Sequence, residues 1–254
     1  MNYFLPIFFG LAPSIIWLSY FLRKDVHPES NKMVLKIFFL GALTTIPAAL
    51  TEIGIEKYIS GWAKLYPNFS VFFYIFLAIG FVEEFLKYLI VKEKVLRNSE
   101  FDEPVDAMLY MIIAALGFAA AENIMVLLPK ERPFLFSETA AISSFRFVGA
   151  TFLHALCSGT VGYFLALSFY KIKRGFWLVA SGISIAALLH GFFNIFIITI
   201  DGSLAFYEGE TRMVNSSSLF FSLVALTVLL AGLAIFVSAG FKKVKKLKSI
   251  CHIK

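Results

Sequence analysis

The stretch FVEEFLKYLIV, Phe81 to Val91, decides how this chain is read. It closes an apolar run beginning at Val71 that is long enough to cross a hydrocarbon core of about 30 Å. Yet Glu83, Glu84 and Lys87 lie inside it. An ionisable group at the centre of a bilayer costs about 2.5–3.5 kcal/mol on insertion scales, so three in one span point to function rather than accident.

The rest of the chain supports the membrane reading. Of its 254 residues 59% are hydrophobic and 17% aromatic, and the mean hydropathy is +0.80. This composition excludes an ordinary soluble domain and implies an all-α, polytopic membrane helix bundle. Spans are expected over Tyr3–Leu22, Val34–Ile55, Val71–Val91, Val105–Leu128, Ile142–Tyr170, Phe176–Ile200 and Leu219–Phe241, about seven in all. The first has no basic segment before it and reads as a membrane helix rather than a cleaved signal. The polar gaps are too short for a soluble domain of about 50 residues. One membrane domain is therefore expected over residues 1–241, with a basic tail over 242–254. Pro6, Pro13 and Pro47 fall within spans and suggest irregular helices.

Lys and Arg sort cleanly among the connections. One side receives Arg23, Lys24, Lys32, Lys36, Lys87, Lys92, Lys94, Arg97, Lys171, Lys173, Arg174 and the tail KKVKKLKSICHIK. The other receives Lys57, Lys64, Lys130, Arg132 and Arg212. Retained cytoplasmic loops are the basic ones, so the N-terminus is expected outside and the C-terminus inside. The net charge of +6 arises largely from this asymmetry, and the tail suits anionic lipid headgroups. Nucleic acid is not an expected partner, because no basic and aromatic recognition module accompanies the tail. Cys157 within a span and Cys251 in the tail predict no disulfide.

Polar residues recur inside four spans. Lys87 stands i+4 from Glu83 and i+3 from Glu84, so it can neutralise one acid while the other faces elsewhere. GFAAAEN, Gly117 to Asn123, carries Glu122 and Asn123 after small residues that let helices approach closely. FRFVGATFLHALCSG places Arg146 near the outer end of its span, where it can snorkel outward, and His154 near the middle. In LLHGFFNIF, His190 and Asn194 are one turn apart on one face. Together these groups would form a polar cavity in the bilayer. Carboxylate and imidazole can deprotonate water there, and His190 with Asn194 can stabilise an oxyanion, the chemistry of peptide hydrolysis. Counted along each span at 1.5 Å per residue, Glu83 and His154 share a depth, while His190 and Glu122 fall about 10 Å further outward. Zinc is the alternative, held by Glu83 or Glu84 with His154 and His190. The pairing of His190 with Asn194, a poor zinc ligand, favours glutamate-activated water without a metal.

These motifs resemble those of the PrsW family of intramembrane proteases. EEFLK matches its EExxK signature and GFAAAEN its GFAxxEN signature, and His154 and HGFFN follow in order. APSIIWLSYFLRKD and EPVDAMLY are also similar, so the resemblance runs from about Ala12 to Asn194. Val126 stands where an aromatic residue often follows the EN motif. The family is similar in its motifs to the type II CAAX prenyl endopeptidases and bacterial immunity-type membrane proteins. That resemblance implies that Glu83 with His154 activates water and that His190 and Asn194 hold the oxyanion. Glu84 with Lys87 would support the site, which Glu122 would line. It also implies a transmembrane protein substrate, such as an anti-sigma factor, and a prokaryotic cell membrane. From the residues alone, a transporter moving protons or ions on its intramembrane acids, or a scaffold with a polar network, is the competing reading.

Overall fold

A chain this apolar can satisfy its backbone polar groups within lipid by forming helices. Helix is the secondary structure of the computed structural model, which describes residues 3–25, 27–128, 135–204 and 216–247. Ten α-helices occur among the described residues. They are α1 (Phe4–Leu22), α2 (Asn31–Leu43), α3 (Thr45–Ala63), α4 (Pro67–Phe73), α5 (Val82–Lys94), α6 (Pro104–Leu127), α7 (Phe136–Val148), α8 (Ala150–Tyr170), α9 (Gly175–Leu204) and α10 (Ser216–Val244). They combine into seven segments long and apolar enough to span a membrane, as expected. Lys130, Arg132, Arg212 and Cys251 lie outside the described residues.

Three of the seven spans are each built from two α-helices. The second breaks between α2 and α3. Pro47 has no N–H to offer the carbonyl four residues back, so it fits the first turn of a new helix better than the interior of an old one. Thr44 and Thr45 turn their hydroxyls onto the carbonyl oxygens of Gly41 and Ala42, at 2.6 and 2.7 Å. The third span passes from α4 through a π-helical stretch, Tyr74–Phe81, into α5. The fifth breaks at Gly149, where the backbone leaves helical geometry between α7 and α8.

The core is built on α6, whose residues from Pro104 to Ala120 are all buried. It packs against α1, α2 and α8, and α8 packs in turn on α9. Small residues permit this. A Cβ on Gly117 would overlap the Phe38 carbonyl oxygen of α2, and one on Gly41 the Ala114 carbonyl oxygen of α6. Helices that lack a hydrophobic driving force in lipid associate through such close backbone contact.

At the basic end the connections after α1 and after α5 are tied together. Ser30 caps α2 by accepting from the Met33 N–H and donates its hydroxyl to Glu100 at 2.7 Å. His27 lies 2.7 Å from Glu103. Asp106 Oδ2 accepts from the backbone N–H groups of Asp102 and Glu103, at 3.0 and 2.7 Å, and so caps α6. The Tyr110 hydroxyl donates to Glu29.

Candidate active site

The π-helical stretch carries the chain into α5, whose first turn holds Glu83 and Glu84. Stretches of π-helix are rare and tend to occur at functional sites, because the wider turn re-aims the side chains that follow. Both carboxylates face inward. Glu83 is 6% exposed, and Glu84 and Lys87 are fully buried.

Lys87 is the hub. Its Nζ lies 3.1 Å from Glu83 Oε2, 2.9 Å from Glu84 Oε1 and 2.9 Å from His154 Nδ1. The expectation that one acid would face away from Lys87 is therefore corrected: an ammonium has three N–H groups, and here all three find acceptors. The Phe118 ring of α6 lies 4.2 Å from the same Nζ and adds a cation–π contact.

An ammonium can only donate, so His154 Nδ1 accepts and the imidazole proton resides on Nε2. That nitrogen is 2.9 Å from Glu122 Oε2 and donates to it. Glu122 Oε1 pairs with Arg146 Nη2 at 3.1 Å. Arg146 Nε donates to Asn123 Oδ1, and the Asn123 amide donates to Thr151 Oγ1 at 2.9 Å. Arg146 does not snorkel outward, because Glu122 and Asn123 offer it partners within the protein. A chain of polar contacts thus runs from α5 through α8 and α6 to α7.

His190 approaches from α9. Its Nδ1 stands 3.4 Å from Glu84 Oε1 and 4.0 Å from Glu83 Oε2, without a hydrogen bond to either. Its ring is perpendicular to that of His154, with centroids 4.9 Å apart. Glu83, His154 and His190 each bring a ligand atom within 4.8 Å of the others. One carboxylate and two imidazoles are the donor types a zinc ion takes, so these residues fit the metal that the sequence leaves as the alternative.

These groups meet at one cavity of about 760 Å³. Glu83, Glu122, Arg146, His154, His190 and Asn194 line it. Glu84 does not, and its remaining oxygen accepts from Ser158 at 2.8 Å. The two adjacent acids are therefore unequal: one meets the cavity and the other is enclosed. The depth offset of about 10 Å counted for His190 and Glu122 is not found, since Glu122 touches His154 and His190 stands beside Glu84. The span that carries His154 is also interrupted at Gly149, so a depth counted along it as one continuous helix does not apply.

Two groups escaped the sequence reading. Ser158 carries no signal that separates it from other span serines. Glu52 does, for an acid in the apolar run PAALTEIGI meets the same criterion as Glu83. It lines the cavity from α3.

Comparison with known proteins gives a consistent picture. Residues 29–241 match the family described as PrsW family intramembrane metalloprotease. The chain is 32% identical to Protease PrsW of Bacillus subtilis over 201 residues, covering 78% of this chain and 84% of that protein. It is 29% identical to Protease PrsW of Geobacillus kaustophilus over 188 residues, covering 73% and 76% of the two chains. Protease PrsW of Clostridioides difficile is 26% identical over 197 residues, covering 76% and 78%. No solved structure matches the chain.

Proposed function

The chain belongs to the PrsW family of intramembrane proteases, a multi-pass membrane protein of a prokaryote, and from that premise we propose that Glu83 activates the water that attacks a substrate peptide bond. The observation that carries this reading is the inequality of the two acids. Glu83 lines the cavity with His154, His190 and Asn194, and Glu84 is sealed beneath it.

In this mechanism a peptide segment of a membrane-anchored protein occupies the cavity. Water held by Glu83, with the His154 ring as the wall beside it, gives a proton to Glu83 as it attacks the carbonyl carbon. His190 and Asn194, one turn apart on α9, donate to the oxygen on which negative charge develops. Glu83 then returns the proton to the leaving amine. Lys87 keeps the two carboxylates apart from one another by standing between them, with Glu84 as its second anchor. Glu122 fixes the orientation of His154, and Arg146 with Asn123 fixes Glu122.

A zinc ion held by Glu83, His154 and His190 is the second reading, favoured by the convergence of these three donors; when bound it would polarise the carbonyl and acidify the attacking water. Lys87 already donates to two of the three residues, and its positive charge disfavours a second cation beside it. We therefore favour the metal-free route. Cleavage of single-span membrane proteins by the purified protein, with and without chelator, tests both. Undiminished cleavage in chelator is expected. Activity that is lost on chelation and restored by stoichiometric zinc would overturn the metal-free route.

The sorting of Lys and Arg further supports an N-terminus outside the cell, one membrane domain over residues 1–241, and a basic tail over 242–254 against anionic headgroups. Labelling of Cys251 by a membrane-impermeant thiol reagent should require permeabilised cells. Labelling in intact cells would reverse the topology.

A further inference from the structure

Among the described residues, the charged groups that line or support the cavity are matched with one exception. Glu83 and Glu84 share Lys87, and Glu122 has Arg146 and His154. Both cations are thereby engaged. Glu52, half-buried on α3, faces the same cavity and has neither a hydrogen bond nor an ion pair among the described residues. The apolar residues Ile79, Val126, Phe193 and Ile197 share the cavity wall with it. A carboxylate in an apolar intramembrane setting is costly when unpaired and gains strongly from a partner, because the low dielectric amplifies both terms.

A cation carried by whatever occupies the cavity would supply that partner. On the reading that the occupant is a substrate peptide, we propose that Glu52 is a specificity-determining residue that selects peptides with a Lys or Arg side chain close to the scissile bond. The chemistry of such a side chain suits the wall. Its aliphatic stem packs on the isoleucines and Phe193 while its charged head reaches the carboxylate. An acidic side chain at the same place would meet Glu52, Glu83 and Glu122 together and be rejected, so the same residue supplies both attraction and exclusion.

A set of single-span model peptides tests this. They are identical except that each position within one helical turn of the scissile bond carries Lys, Gln or Glu in turn. With the purified wild-type protein, kcat/KM at one position should favour Lys over Gln by about tenfold, chiefly through KM, as a charge-assisted hydrogen bond would give. In Glu52→Gln the ratio should fall to within about twofold of unity, and Glu52→Lys should turn the preference toward Glu. A wild-type enzyme indifferent to the charge, or a Lys preference that survives Glu52→Gln, would overturn the proposal. Binding of uncleavable Lys and Gln versions of the same peptide is an independent measurement, with the affinity ratio expected to collapse in Glu52→Gln. A wild-type protein that cleaves none of the peptides, or a Glu83→Gln variant that cleaves at the wild-type rate, would instead overturn the underlying assignment of Glu83.

Discussion

Helix α6 carries an acid near each end, and the two have opposite surroundings. Glu122 meets Arg146 and His154 and lines a cavity shared with Glu83, His190 and Asn194. Asp106 meets Glu29 and Asp25, close enough for their oxygens to lie within 4.8 Å of one another, and no Lys or Arg is paired with it among the described residues. Its Oδ2 is engaged by two backbone N–H groups. Gathered carboxylates are common to both clusters. What separates them is that the first aims its groups at open space with cations beside them, whereas the second ties off backbone donors and joins two connections. The first arrangement suits chemistry and the second suits holding the bundle together.

The largest expected effects lie at the first cluster. Glu83→Gln and His154→Ala should each remove nearly all proteolysis while abundance in the membrane is maintained. Groups that act as a unit are non-additive, so the double variant should be little worse than either single one. Cleavage of a single-span substrate, read beside immunoblots of the membrane fraction, checks this, and additive losses would dissolve the unit. Next come His190→Ala and Asn194→Ala, expected to lower kcat by comparable factors of about 10²–10³, as for loss of one oxyanion donor. A zinc site would split the pair: the His190 variant would lose metal and the Asn194 variant would keep it.

At the other end the effect should be on stability. Asp106→Ala removes a helix cap and should cost about 0.5–2 kcal/mol, read as a lower melting temperature in detergent, while turnover per folded molecule persists. Loss of turnover at unchanged melting temperature would erase the contrast between the clusters. The smallest effect concerns Glu29, whose carboxyl is raised above its ordinary value by burial, which outweighs the opposing hydrogen bond from Tyr110. With the folded value the higher, the folded protein holds this proton more tightly than the unfolded chain does. The stabilisation is full below the unfolded value of about 4.3 and is lost as pH rises through the folded one. Glu29→Gln should therefore compare more favourably with wild type at neutral pH than at pH 4, which melting curves at the two values would reveal.

Hydropathy is a local property of the chain, so the residue pattern was enough to establish the all-α membrane architecture and its seven spans. It also identified Glu83, Glu84, Lys87, Glu122, Asn123, Arg146, His154, His190 and Asn194 as polar residues out of place in lipid. Which partner each meets depends on where helices break and how they cross, and these are set by contacts distant in sequence. The end of α7 at Gly149, the π-helical turn before Val82 and the crossing of α2 on α6 at Gly41 and Gly117 are such features. In the folded bundle Arg146 meets Glu122, His190 stands beside Glu84 and Glu52 lines the cavity. That Lys87 serves three acceptors, and that Glu83 rather than Glu84 meets the cavity, emerges from the folded arrangement alone. Two adjacent acids on a helix point about 100° apart, and only the packing of α8 and α9 around them selects which one is enclosed.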